Sequence, residues 1–332
     1  MYIFQPMSKL SGYLRAIYHH EEYHGWFKRR RFFEGWYFKI VDKTQQHAFA
    51  FIPGIAMDEQ GNRQAFIQVL DGIHVTADYY KFDREFFHPN DRRFKVKIKE
   101  NSFSMNRIKL QLPEIRGQVH FSEHVKLPKT LLWPGIMGWY SYVPLMECYH
   151  QVISMDTELT GKLVVRGQEI DFTGGRGYIE KDWGRSFPSS WIWMQSNHFA
   201  NTKTSFKLSV AKIPWLNSSF VGFISVFLLN GKILRFATYT GAKLKEVAIN
   251  ENGTEVCLED KRHILRVNAV KAAGAELKSP IQGLMEGKVK ESMQAVMHIT
   301  LFDKHENRLI FNDTGNNTGL EIAGDTHELL QF

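Results

Sequence analysis

The sequence predicts an all-β protein of sandwich or barrel type. Three observations carry that expectation. Few windows keep a helical period, whereas period-two alternation of apolar and polar residues recurs along the chain. Turn signals punctuate the alternating runs at short intervals. No long helical segments separate the runs, as parallel βαβ units would require.

In chain order, Arg93-Phe-Lys-Val-Lys-Ile-Lys99 alternates cleanly, with Phe94, Val96 and Ile98 on one face. Arg107-Ile-Lys-Leu-Gln-Leu112 repeats the pattern, and Glu100-Asn-Ser between them is expected to turn the chain back as a hairpin. Further strands are predicted at Phe206–Val210, Lys243–Val247 and Ala295–Phe302. Leu228-Leu-Asn-Gly-Lys-Ile-Leu234 places Asn-Gly between two apolar runs, a strong hairpin signal because both turn residues must adopt positive φ. Strand patterning resumes on both sides of Arg185-Ser-Phe-Pro188. The expected organisation is therefore an N-terminal arm over residues 1–30 and two β domains over 31–186 and 187–332.

The chain has 332 residues, enough to bury a large core without staples. Its two cysteines, Cys148 and Cys257, exclude a disulfide framework and fit a reducing compartment. The longest apolar stretch, Phe220–Leu229, is far short of the roughly 20 residues that span a bilayer as a helix. No secretory signal is visible at Met1-Tyr-Ile-Phe-Gln-Pro6, so a cytoplasmic location, with at most peripheral membrane contact, is expected. The 25 Phe, 8 Trp and 12 Tyr concentrate in Trp26–Phe38, Trp133–Tyr149 and Trp183–Phe199, which favours a lined apolar cavity over a general excess of core aromatics.

Lysine and arginine exceed the acids by seven. The run Lys28-Arg29-Arg30-Arg31 lies between Trp26-Phe27 and Phe32-Phe33. With no nucleic-acid motif beside it, no nucleic-acid partner is expected. A solvated turn or contact with anionic lipid accounts for it better. Leu131–Pro144 is apolar yet broken by Pro and Gly, so it predicts neither a strand nor a regular helix. It is expected as a packed loop or a lid that touches membrane.

His120-Phe-Ser-Glu-His124 matches an inverted zinc-protease pattern, but a strand would point His120 and Glu123 to opposite faces. His19-His-Glu-Glu-Tyr-His24 reads as a polar arm. No metal site is expected from either. Gly177–Phe199 is richer in chemistry. On a first strand Tyr178, Glu180 and Asp182 share one face, and Lys181 and Trp183 the other. On a second, Trp191, Trp193, Gln195 and Asn197 share a face. Indole N–H groups and carboxamides need partners, so this set reads as the lining of a ligand cavity or as an internal salt-bridge corner. In Arg31–Lys39, Glu34 stands among aromatics, including Trp36. If buried it would hold a proton at neutral pH.

Phe33-Glu-Gly-Trp-Tyr-Phe38, Glu180-Lys-Asp-Trp-Gly184 and Phe187-Pro-x-x-Trp-x-Trp-x-Gln-x-Asn197 resemble the tocopherol cyclase family. Further matches are His150-Gln-Val-Ile before Leu159-Thr-Gly161, Ser279-Pro-Ile-x-Gly-Leu284 and Leu320-Glu-Ile-Ala-Gly324. The resemblance implies two lipocalin-like β-barrel halves. It implies cyclisation of a prenylated hydroquinone to a chromanol, with no cofactor and no metal. Protonation of a prenyl alkene would give a tertiary cation, which aromatic faces stabilise before the phenol oxygen attacks. Asp182, Glu34 and Glu180 are the implied acids. Trp36, Trp183, Trp191 and Trp193 would line the cavity, with Lys181 between the carboxylates. His150, Gln195 and Asn197 would orient the phenol. The family's E-K-N-W-G has Asn where this chain has Asp182, and the absence of a plastid transit segment suggests a bacterial homologue whose substrate is some prenylated lipid. On the same scaffold, a carrier of a hydrophobic ligand and an isoprenoid hydratase are the alternatives.

Overall fold

The computed structural model describes residues 9–332, so the first eight residues of the expected arm lie outside the described residues. The protein is nearly all β, with two antiparallel sheets that each wrap round their own core in lipocalin-like fashion. In the first sheet the order is Thr76–Asp83, Arg63–Asp71, Ala48–Met57, Phe32–Val41, Arg176–Gly184, Cys148–Val165, Ile115–Ser122, Arg107–Gln111, Asn101–Ser104, Lys95–Ile98 and Phe87–Pro89. In the second it is Lys232–Ala237, Ser218–Leu229, Thr204–Trp215, Ser190–Ser196, Arg308–Gly324, Leu284–Asp303, His263–Val270, Gly253–Glu259 and Lys243–Asn250. Two short strands, Gln168–Asp171 and Ala275–Ile281, pair off these paths.

The two orders follow one plan. In each half the first strand pairs with the last, and meanders extend on both sides. The chain crosses between the sheets from Gly184 to Ser190. The two halves therefore meet along Phe32–Val41 and Arg176–Gly184 on one side and Ser190–Ser196 and Arg308–Gly324 on the other. Strand alternation sends every second side chain of these four strands into its own barrel and the rest toward the opposite sheet.

Local expectations fare as the physics suggests. Asn230 and Gly231 have φ of 51° and 76° and join Ser218–Leu229 to Lys232–Ala237. Glu100-Asn-Ser is not a simple turn. Asn101–Ser104 forms a strand of its own between Lys95–Ile98 and Arg107–Gln111, giving a three-stranded meander. Only two residues are needed at each bend, so the short polar run had room to pair. The 131–144 loop is irregular, with one 3₁₀ turn at Gly138–Tyr142.

The histidine-rich arm is not a solvated polar segment. His20, Glu22 and Tyr23 are buried, because the segment packs into the end of the first barrel. His120 lies exposed on Ile115–Ser122, while His124 turns toward Ser154 and Asn106.

Candidate active site

A cavity lies between the two sheets, lined by the outward faces of the strands that join them. Glu180 and Asp182 come from Arg176–Gly184, Tyr37 and Gly35 from Phe32–Val41, and His150 from Cys148–Val165. Trp191 and Trp193 come from Ser190–Ser196, with Glu291 and Glu321 from the long strands of the second sheet. The centres of water-sized molecules have about 210 Å³ in which to move, against about 10–15 Å³ for a single water. The rest of its wall is mostly apolar, with Phe33, Ile52, Phe66, Phe187, Phe220 and Met285 prominent, and Gln68, Glu147, Ser209, Thr238 and Lys278 contribute polar atoms. Gly319, on the neighbouring strand of the same sheet, lets the Trp193 ring lie across it: a Cβ there would stand 2.6 Å from the indole ring.

The polar side chains at the centre of the cavity are oriented by partners. His150 Nδ1 lies 2.8 Å from Asp182 Oδ1. Tyr178 donates its hydroxyl to Glu180 at 2.6 Å, and Trp193 donates its indole N–H to the same oxygen at 3.2 Å. Trp191 donates to Glu321 at 2.6 Å. Tyr37 donates to Glu291 in a short hydrogen bond. His150 Nε2, 3.8 Å from Glu180, has no hydrogen-bond partner among the described residues.

Glu180, Asp182, Glu291 and Glu321 crowd the inner cavity, where four carboxyl groups cannot all ionise at neutral pH. Burial pushes the carboxyls of Glu180, Glu291 and Glu321 up; neighbouring acids add to the rise, while His150 and Lys207 oppose it at Glu180 and Tyr37 and Lys39 oppose it at Glu291. Glu291 rises to about 8. Glu321 rises well above the usual carboxylate range, through burial first and the nearby Glu291 second. The two differ in reach. Glu291 is almost fully covered, at 1 % exposure, whereas Glu321 retains surface facing the cavity. The Asp182 and His150 side chains also retain such surface, at 21 % and 15 %. Groups that touch a bound molecule must have it.

Two buried cations stand behind the acids. Lys39 bonds the side chain of Gln195 at 2.9 Å and the carbonyl of Asn317 at 2.5 Å, and burial lowers it to about 7. Lys207 donates to Ser209 at 2.6 Å, and burial lowers it to about 8. His150, Glu180 and Asp182 also present one ligand atom each within 4.8 Å of one another, and His19, Glu21 and Glu22 do the same. A cation could be held at either set.

The structure divides the residues singled out in the sequence. Glu180, Asp182, His150, Trp191 and Trp193 line one cavity together. Glu34, Trp36, Lys181 and Trp183 do not, because their strand positions point into the first barrel. There Lys181 pairs with Glu34 at 2.5 Å, both fully buried. The ammonium lies 4.7 Å from the Trp36 ring centre and 4.9 Å from that of Trp183. The His24 backbone N–H donates to both Glu34 oxygens at 2.9 and 3.0 Å, and Lys181 donates to the Glu22 carbonyl. Burial pushes Glu34 up and Lys181 down, and their mutual attraction opposes both. This cluster clamps the arm into the barrel end. Gln195 faces the other sheet but is spent on Lys39. Asn197 donates to Asp156 at 2.8 Å and to the Gly177 carbonyl at 3.0 Å, which pins the two sheets beyond the cavity.

Glu291, Glu321, Tyr37, Lys39 and Lys207 had not been singled out from the sequence. Glu321 lies inside Leu320-Glu-Ile-Ala-Gly324, and its pairing with Trp193 sets it beside the indoles. A carboxylate at the cavity-facing phase of an otherwise apolar strand was the available signal.

The sequence profile of the tocopherol cyclase-like family matches residues 114–324. The probable chloroplastic tocopherol cyclase of Oryza sativa subsp. japonica is 25 % identical over 202 residues, covering 56 % of this chain and 42 % of its own length. The chloroplastic tocopherol cyclase of Zea mays is 24 % identical over 201 residues, covering 56 % and 41 %. The chain thus spans about two fifths of the length of the curated relatives it matches. The crystal structure of CghA with Sch210972 shares the fold, with a TM-score of 0.56 over 89 % of each chain at 9 % identity. By the profile match over most of its length, the chain belongs to the tocopherol cyclase-like family.

Proposed function

We propose that the protein is a cyclase that closes a prenylated hydroquinone, or a related isoprenoid lipid, to a chromanol-type product by acid catalysis in the cavity between the sheets. One observation carries this reading: buried carboxyls with few compensating partners and an unpartnered imidazole nitrogen face each other in a cavity walled by tryptophans. Glu321 is the proton donor. Burial and the nearby Glu291 push its carboxyl well above the usual carboxylate range, and it has surface in the cavity. The proton adds to the prenyl alkene and leaves a tertiary cation. The faces of Trp191 and Trp193 stabilise that cation, and the apolar walls keep water from quenching it.

The phenol oxygen then attacks the cation and forms the ring C–O bond. Its proton passes to His150 Nε2, with Asp182 holding the ring through Nδ1 and stabilising the imidazolium. Return of that proton through the Glu180 and Glu321 carboxyls restores the starting state. Substrate and product have the same composition, so no redox partner is required. Glu180 and Glu291 act through Glu321 and the indoles, holding the proton inventory of the cavity.

Incubation with a prenyl hydroquinone tests the reading. Cyclisation gives a product of unchanged mass and shifted retention. Addition of water would give a heavier product and make the protein a hydratase. Return of the lipid unaltered, though bound, would make it a carrier.

A further inference from the structure

One end of the molecule gathers features that the cavity alone does not explain. Phe33, Gly184 and Cys148 are aligned across three adjacent strands. Residues just before Phe33 and Cys148 and just after Gly184 therefore project from the same end. In the second sheet Trp191 is opposite Ala211, so the hairpin after Trp215 extends past that end as well. Arg185–Ser189 connects the sheets there.

Two leucines stand at the tips of this end. Leu145 is 83 % exposed and Leu216 is 93 % exposed. Both have left-handed backbone, with φ of 62° and 53°. That conformation suits Gly or Asn, and a leucine gains nothing in the folded chain by occupying it. Their neighbours Met146 and Pro214 line the cavity, so the leucines flank its mouth. Trp139, 43 % exposed, packs edge-on against Trp215 and stacks on Tyr140, itself part of the cavity wall. Lys28, Arg29, Arg30 and Arg185 are exposed at the same end, while Arg31 is paired with Glu59. Of the acids there, Asp58 accepts from Asn62, Glu328 accepts from Ser189 and Ser190, Glu147 is half-buried and Glu286 is exposed, so the four free cations still outnumber the free acids.

We propose that this end seats on an anionic phospholipid bilayer, with Leu145, Leu216 and Trp139 entering the interface and Lys28, Arg29, Arg30 and Arg185 facing the headgroups. The cavity mouth then opens onto the lipid phase, which is how a substrate too apolar to dissolve would enter. This last step rests on the cyclase reading; the docking itself does not. Apolar tips ringed by cations are the arrangement that a bilayer surface rewards at both depths.

The test is flotation with substrate-free vesicles of phosphatidylcholine and phosphatidylserine. Wild-type protein should float at low salt and progressively less as salt rises. Leu145→Asn and Leu216→Asn should each weaken binding by about tenfold. Asparagine tolerates the left-handed backbone, so thermal stability should be kept or raised, which separates lost docking from lost folding. Arg29→Gln with Arg30→Gln should weaken binding and flatten its salt dependence. Absence of binding at low salt overturns the proposal, as does equal binding by the leucine variants. So does a dimer in size exclusion that the leucine variants dissociate, since a second copy would then cover the patch. A protein that docks but does not cyclise leaves the docking standing and removes only the chemistry.

Discussion

The strand Arg176–Gly184 serves two environments. Lys181 and Trp183 enter the first barrel, and Glu180 and Asp182 enter the cavity between the sheets. Both environments set a carboxyl group among tryptophans, yet they do opposite things with it. Inside the barrel Glu34 meets an ammonium at contact distance, and the His24 backbone N–H bonds both its oxygens. It is an ion pair whose role is to hold the arm. In the cavity no lysine or arginine among the described residues pairs with Glu180 or Glu321, and burial pushes both carboxyls up instead. A paired carboxylate has no proton to give, whereas an unpaired buried acid does. The lesson is that an aromatic-flanked carboxyl becomes an acid catalyst only where its compensating cation is held back, as Lys39 and Lys207 are here.

Substitutions on each side should separate stability from turnover. The largest effect expected is on catalysis. Glu321→Gln should lower turnover by about 10²–10⁴-fold, with unfolding by denaturant little changed. Next, Lys181→Met strands the buried Glu34 and should lower stability by about 3–5 kcal/mol. Turnover per folded molecule, measured by active-site titration, should fall far less than in the Glu321 variant. Equal losses of turnover from the two would erase the distinction between barrel and cavity.

Asp182→Asn comes third. It keeps the shape but removes the charge that stabilises a protonated His150, so turnover should fall roughly tenfold. The alkaline limb of the rate profile should remain, because Glu321 still sets it. That limb descends as pH rises, since the acid must carry its proton.

The last effect is on the pH dependence of stability. Glu291 is raised from 4.5 to about 8 on folding, so the folded protein binds its proton more tightly than the unfolded chain. Its contribution is fully present below about pH 4.5 and is lost as pH rises through about 8. Glu291→Gln should therefore melt progressively higher, relative to the wild type, between those limits. A difference that does not vary with pH would place Glu291 outside the proton-sharing cluster.

Much of the fold was legible because strand alternation is a local property. Lys95–Ile98 and Arg107–Gln111 show it plainly, and Asn230-Gly231 fixed a hairpin. The assignment of faces on Arg176–Gly184 also followed from period two. What could not be read was which face met which space. Trp36 and Trp191 look alike in sequence, but one strand begins a barrel and the other closes a cavity. Glu291 and Glu321 became visible only through pairings that span the second sheet. The clamp of His24 onto Glu34 was hidden for the same reason: a polar arm is read as solvated until a buried charge is found to need it.

The most direct test of the account is turnover of a prenyl hydroquinone in heavy water, followed by mass spectrometry and NMR of the product. The account predicts a chromanol with one deuterium on the carbon next to the new C–O bond, delivered by an exchanged Glu321 carboxyl, and near-complete loss of this product in Glu321→Gln. A chromanol without deuterium, or one formed at the wild-type rate by Glu321→Gln, would contradict it.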